Sequence, residues 1–262
     1  MIHTIILGIV QGLCEFLPVS SSGHLALLQY FFGFGNENLV AFDLLLHVPT
    51  VLVILIFFWH DVIRIIVEWF GGWFSNRKLS GWFYGWAIIV ATVMTVAGLP
   101  LRKLVDELSG SPLYVGCGLI FTALIMLIVP LISRGRRNSS ILKVAVVVGI
   151  AQGIAVLPGV SRSGMTIMAG LLMGLSVSEA FRFSFLISVP AVLGASLLEA
   201  LKIFRSGEAI LLPEGALWAV IAAFVFGFAA LTLARKIILA GKWGYFSIYC
   251  FIVGVTAIVL SL

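Results

Sequence analysis

Gln11 and Glu15 stand four residues apart in the apolar run that opens the chain, so a helix would turn both onto one face, converging on one ligand. A carboxylate in such a segment is expensive to keep charged, and function is its first reading, with a protonated or amide-capping acid as the plainer one. Next, Ser20-Ser21-Ser22-Gly23-His24 follows Pro18 and precedes the run Leu25 to Phe32. The serines would cap a helix whose first amides attract an anion. Capping explains many Ser-rich turns by itself. Here three hydroxyls lie beside an imidazole within reach of Glu15, which offers a nucleophile, a proton-transfer group and a carboxylate together. Far along the chain, Pro158-Gly159-Val160-Ser161-Arg162-Ser163-Gly164 opens another short helix around a guanidinium, a group that grips phosphate oxygens bidentately. The alternative for Arg162 is simple pairing with Glu15. Glu15, Ser21, His24 and Arg162 are therefore the expected chemical groups, and Ser20, Ser22, Gly23, Ser161, Ser163 and Gly164 the expected anion-binding turns.

The two clusters are copies of one unit. Gln11-Gly12 answers to Gln152-Gly153, the Ser-rich turns correspond after a one-residue slip about the proline, and Phe42 through Pro49 lies over Phe183 through Pro190, always 141 positions apart. Arg162 then occupies the place of Ser21, and Met165 that of His24. Two copies carrying different polar residues predict one site built from both.

The elements that must position these groups follow from composition. With 61% hydrophobic and only 10% charged residues in 262, the chain has too little polar surface for a soluble globule and is expected to be an all-α polytopic membrane protein. Six apolar stretches long enough to cross hydrocarbon are read at 40–67, 82–101, 112–132, 178–201, 215–234 and 243–262. Segments 1–34 and 141–175 are each broken by Pro and a Ser/Gly turn, and read as re-entrant helical hairpins. The single membrane domain, 1–262, would divide into repeats of about 1–134 and 135–262. A hairpin plus three crossings per repeat makes the second copy inverted. Arg77, Lys78, Arg134, Arg136, Arg137, Lys143, Arg235, Lys236 and Lys242 then share one face, against Arg102, Lys103, Lys202 and Arg205 on the other. That bias predicts a cytoplasmic first face and both termini outside. It also accounts for the net charge of +5, so no nucleic-acid partner is expected. No removable leader is expected either, since the first residues carry no basic n-region or small-residue cleavage site. Cys14, Cys117 and Cys250 lack metal-ligand spacing and read as reduced, buried thiols. Asp43 and His47 share a helical face at the start of the first long span, where Asp43 reads either as a support that orients the site or as a helix-start carboxylate near the interface, while Arg182 and Glu179 read as interfacial anchors or outer support. Gly170, Gly174, Gly194, Ala195 and Ser196 are candidate small-residue contacts beside a lateral opening.

The segments QGLCEFLPVSSSGH, PGVSRSG and RFSFLISVPA resemble the signatures of the bacterial undecaprenyl-diphosphate phosphatases of the BacA type, also called bacitracin-resistance proteins. The resemblance spans the chain in length and repeat spacing. It implies an inner-membrane enzyme that removes the terminal phosphate of undecaprenyl diphosphate, a long-chain prenyl diphosphate lipid, and regenerates the carrier lipid for peptidoglycan synthesis. It also implies a divalent cation, Mg2+ or Ca2+. By position Glu15 falls on the acidic member of the family's E/Q-x-x-x-E motif, Ser20 to Ser22 and His24 on its Ser/His turn, and Arg162 on its phosphate-binding arginine. Gln11 fills the first motif position as an amide, a weaker cation ligand than a carboxylate, so the metal would rest on Glu15 and Gln11. Two routes stay open: attack by Ser21 with His24 handling protons, or water positioned by His24. The rival reading is a transporter or flippase for a prenyl phosphate or small anion, which paired re-entrant hairpins also suit. An assembly subunit is the third, and oligomeric state is left open, a homodimer included.

Overall fold

The computed structural model describes residues 1–33, 39–74, 80–132, 139–206 and 212–262, and among them it is all-helical. The helices are α1 (Ile2–Phe16), α2 (Ser21–Phe31), α3 (Leu39–Phe57), α4 (Trp59–Phe74), α5 (Ser80–Thr95), α6 (Arg102–Ser109), α7 (Pro112–Ile132), α8 (Ile141–Ile154), α9 (Arg162–Leu172), α10 (Val177–Ser206), α11 (Ala216–Leu239) and α12 (Gly244–Val259). A 3-10 segment, Val96–Leu101, extends α5. Helices close their backbone hydrogen bonds internally, which an apolar chain in lipid requires. Their outward faces carry large apolar side chains such as Leu131, Phe204, Leu217 and Ile248, as a multi-pass membrane protein demands.

Length separates the helices. Pro112–Leu131 of α7, Val177–Arg205 of α10 and Ala216–Leu239 of α11 are each long and apolar enough to cross a bilayer. The expected unbroken span at 40–67 is a correction: helix stops at Phe57, restarts at Trp59 and bends by 77°, so α3 and α4 form at most one broken span. The bend turns the Phe58 ring, with centroids 6.2 and 6.4 Å from Phe181 and Phe185, into the aromatic core. α5 and α12, expected at 82–101 and 243–262, are apolar but shorter, at 16 residues each. Segments 1–34 and 141–175 each fold as two short helices about the Pro and Ser/Gly turn: α1 and α2 contain 15 and 11 residues, α8 and α9 contain 14 and 11. At 1.5 Å rise per residue none of the four reaches across about 30 Å of hydrocarbon.

The packing repeats with the sequence. α1 lies along α11, its counterpart α8 lies along α5, and α7 pairs with α12. Glycines set these contacts. A Cβ on Gly8 would run into the Ala219 carbonyl, and one on Gly12 would stand 2.5 Å from the Ala223 carbonyl oxygen. Their equivalents Gly149 and Gly153 meet Ala91 and Thr95 in the same way, and Gly116 and Gly254 face each other across α7 and α12. Close backbone approach through small residues replaces the hydrophobic drive that helices lack in lipid. The small residues singled out near 194 do not act so. Gly194 has open space where a Cβ would go, Ala195 is exposed, and Gly170 packs locally on Ala180. Glu179 caps its own helix: its carboxylate accepts from the Ser176 amide and hydroxyl at 2.9 and 2.6 Å, the capping box of α10. Arg182 is fastened to Asp61 at 3.1 Å and to the Tyr84 hydroxyl at 3.2 Å, away from the hairpin tips. Arg77, Lys78, Arg134, Arg136 and Arg137, on which the charge bias mostly rests, lie outside the described residues.

Candidate active site

The site begins where the first hairpin turns. Pro18 forbids helical backbone at Leu17, which is extended (φ −77°, ψ 143°), and α1 ends. The chain reverses through Ser20, which takes φ +69°, and its side chain then accepts from the Gly23 amide at 3.3 Å to cap α2. The second hairpin solves the same problem differently. Its positive φ, +81°, falls on Gly159, so Ser161 caps α9 from ordinary extended backbone, accepting from the Gly164 amide at 3.2 Å. The one-residue slip about the prolines has this meaning: the second loop has a glycine to absorb the left-handed turn, and the first uses a serine. Thr122 of α7 braces the second loop, accepting from the Ser161 amide and donating to the Gly159 carbonyl, both at 2.9 Å.

The tips touch. A Cβ on Gly23 would lie 2.8 Å from the Gly159 Cα, so the two turns meet backbone to backbone. Across this contact Arg162 pairs through Nη2 with Oε1 of Glu15, residues from opposite copies. The side chains are 19% and 4% exposed, which makes the pair a buried one. Glu15 Oε2 accepts from Ser21 Oγ at 2.6 Å and from Gln11 Nε2 at 3.2 Å. Two buried atoms have no hydrogen-bond partner here: Arg162 Nη1, a donor, and Gln11 Oε1, an acceptor. A guanidinium with one fork on a carboxylate and the other unpartnered is preset for a second anion. His47 of α3 stands within electrostatic reach of Glu15, and Asp43 behind it accepts from Gln29 Nε2 at 2.9 Å.

Glu15, Ser21, Arg162 and Gln11 are thus brought together as the spacing implied. Ser20 and Ser161 are buried caps, each with its hydroxyl 3.3 Å from that of Ser22 or Ser163. Ser22 is exposed, whereas Ser163 is buried and reaches the Leu17 carbonyl of the other hairpin at 3.5 Å. The amides of Gly23 and Gly164 are engaged by the caps. His24 is in the turn but engaged elsewhere: Nδ1 is 2.8 Å from the Ser20 carbonyl oxygen and Nε2 is 2.8 Å from the hydroxyl of Tyr249. Sequence reasoning passed over Tyr249 and Thr122. Both sit among other hydroxyl-bearing residues in apolar helices, Tyr249 with Tyr245, Ser247 and Thr256 in α12 and Thr122 with Tyr114 in α7, and no local pattern sets them apart; only the 141-residue offset, which places α12 and α7 in matching positions late in each copy, hints that these helices frame the turns.

Beside the site an apolar groove of about 500 Å3 opens between α1, α2 and α12, lined by Val10, Leu13, Leu27, Phe246 and Val253 together with His24 and Tyr249. Its walls join the polar turn directly.

Residues 4–256 match the family described as bacitracin resistance protein BacA. The chain belongs to this family. It is 42% identical to an undecaprenyl-diphosphatase of Desulfosudis oleivorans, covering 97% of this chain and 96% of that one. An undecaprenyl-diphosphatase of Bacteroides fragilis is 40% identical over 99% of this chain and 97% of its own length. Undecaprenyl-diphosphatase 1 of Shouchella clausii is 35% identical over the whole of this chain and 96% of its own.

Proposed function

We propose that this protein hydrolyses undecaprenyl diphosphate to undecaprenyl phosphate and inorganic phosphate within the membrane. Membership of a family whose relatives carry the phosphatase name over their full lengths favours this over transport. The single observation that carries the chemistry is the Arg162–Glu15–Ser21 chain, with Arg162 Nη1 left unpartnered. The terminal phosphate would take that free fork while the groove between α1, α2 and α12 receives the first isoprene units.

Ser21 Oγ, already donating to Glu15 Oε2, would attack the terminal phosphorus, with Glu15 as its base. An Oγ–P bond forms as the bridging P–O bond breaks, its electron pair leaves with the lipid phosphate, and the serine proton passes to Glu15. Water then attacks the phosphoserine: a new P–O bond forms as the Ser21 Oγ–P bond breaks, Glu15 returns its proton to the departing Ser21 oxygen, the proton that the water sheds passes to a phosphate oxygen, and inorganic phosphate departs as the dihydrogen ion. Arg162 offsets the charge on the equatorial oxygens in both steps, the electrostatic contribution on which phosphoryl transfer depends. A divalent cation would share this place. Gln11 Oε1 is a buried acceptor without a partner one helical turn from Glu15, and Mg2+ takes one or two protein oxygens plus substrate phosphates. Gln11 and Glu15 would hold it. The cation would supply further neutralisation of phosphate charge. No group of three acidic, His or Cys ligands occurs among the described residues, so most of its coordination would come from substrate and water.

The architecture we infer is one domain of two inverted repeats in the bacterial inner membrane, with hairpins α1–α2 and α8–α9 re-entrant and both termini outside. Support comes from the exchange of partners between α1 on α11 and α8 on α5, and from Lys143, Arg235, Lys236 and Lys242 falling on one predicted face. The test is phosphate release from undecaprenyl diphosphate by purified protein, with and without chelator, alongside Glu15→Ala and Arg162→Ala. Wild-type release abolished in both variants is expected; release that survives in either removes the site assignment.

A further inference from the structure

We propose that Tyr249 is a positioning residue for this site and that His24 serves the reaction by holding the Ser20 turn in place, not by moving the serine proton. The proposal rests on the phosphatase reading above. The Ser20 carbonyl can only accept, so His24 Nδ1, 2.8 Å away, carries the hydrogen. Neither partner of the ring is a carboxylate, and a buried neutral imidazole then has a bare Nε2, which accepts from the Tyr249 hydroxyl at 2.8 Å. The two rings lie parallel within 6°, with centroids 5.5 Å apart. His24 is left with no free nitrogen for Ser21, whose proton already points at Glu15.

What the ring does instead is local. Ser20 is the one non-glycine residue with positive φ among the described residues, a conformation that needs outside support. Its carbonyl receives both the His24 amide at 3.2 Å and the His24 ring. Tyr249, on α12 in the second half of the chain, pins the far side of that ring. The strained turn sets where Ser21 projects, so α12 fixes the hydroxyl that α2 offers to Glu15. Tyr249 and His24 also line the apolar groove, so the same pair borders the cavity proposed for the lipid chain.

The experiment compares wild type, Tyr249→Phe, His24→Ala, His24→Asn and the Tyr249→Phe/His24→Asn double variant in detergent, by steady-state phosphate release and by nitrogen-15 NMR of the His24 ring. Tyr249→Phe keeps the stack and loses one hydrogen bond, so kcat should fall about fivefold with KM little changed. His24→Asn keeps a donor at the Nδ1 position but no base, and should recover most of the activity lost in His24→Ala. The double variant should be no slower than His24→Asn alone, because Tyr249 acts through the ring. The nitrogen shifts should report a protonated Nδ1 and a bare Nε2. An unaltered kcat in Tyr249→Phe, a His24→Asn enzyme as dead as His24→Ala, or full multiplicative losses in the double variant each overturn the proposal. Absence of phosphate release from wild type would instead sink the phosphatase reading, and the proposal's catalytic half with it; the ring shifts would still decide whether Tyr249 fixes the tautomer.

Discussion

Arg162 and Glu15 hold each other across the two hairpins, and the balance of that pair is testable apart from catalysis. Removing one member of a buried pair strands the other charge, which typically destabilises by about 3–5 kcal/mol. Arg162→Ala should therefore lower the thermal midpoint in detergent, and adding Glu15→Gln should restore much of it while phosphate release stays lost. If the double variant unfolds as readily as the single, the pair is not what anchors the tips. Ser21 makes a separate prediction. Loss of its hydroxyl would remove the proposed nucleophile but no ion pair, so Ser21→Ala should keep near-wild-type stability and lose at least about a hundredfold in kcat. Rapid-quench capture of phosphate on Ser21 in wild type is the complementary measurement, and turnover largely retained in Ser21→Ala would favour direct attack by water.

The helices are set against one another by glycine, which gives the elements their own prediction. Gly8 and Gly12 let α1 approach α11 until backbone meets backbone, and Gly149 and Gly153 do the same for α8 on α5. Gly12→Val should force α1 outward and lower stability by about 2 kcal/mol or more, an overpacking effect. Gly194→Ala, where open space awaits the methyl group, should stay within about 0.5 kcal/mol of wild type. Equal thermal midpoints for the two variants would refute the close-approach account. The Gln-Gly steps at 11–12 and 152–153 were legible as repeated elements in the sequence, and the hairpin breaks followed from Pro18 and Pro158. The bend at Phe58 was not legible, because an apolar run of that length looks the same whether or not an aromatic cluster elsewhere draws one ring inward. The cap made by Glu179 could have been found, since Ser176 and Glu179 have capping-box spacing just before an apolar run.

For the molecule as a whole the question is how a phosphate reaches a buried arginine while its lipid stays in the bilayer. In the reading proposed above the groove between α1, α2 and α12 would supply the path, and Leu13 lines its wall. Leu13→Trp should narrow it and raise KM for a long prenyl diphosphate several-fold, with little effect on kcat or on a short-chain diphosphate. A mutant that slowed both substrates alike would argue that the groove is not the tail site. The sequence by itself determined that the chain lives in a membrane, that it is built from two copies of one unit, and that Glu15, Ser21 and Arg162 belong together. Those facts are written in composition and in spacing, which are properties of the line of residues. Only the tertiary structure decided that Ser21 points to Glu15 while His24 turns to Tyr249, and that an apolar groove opens beside α12. Such choices depend on which helix lies against which turn, and contacts between residues more than two hundred positions apart leave no periodicity for a sequence reader to detect.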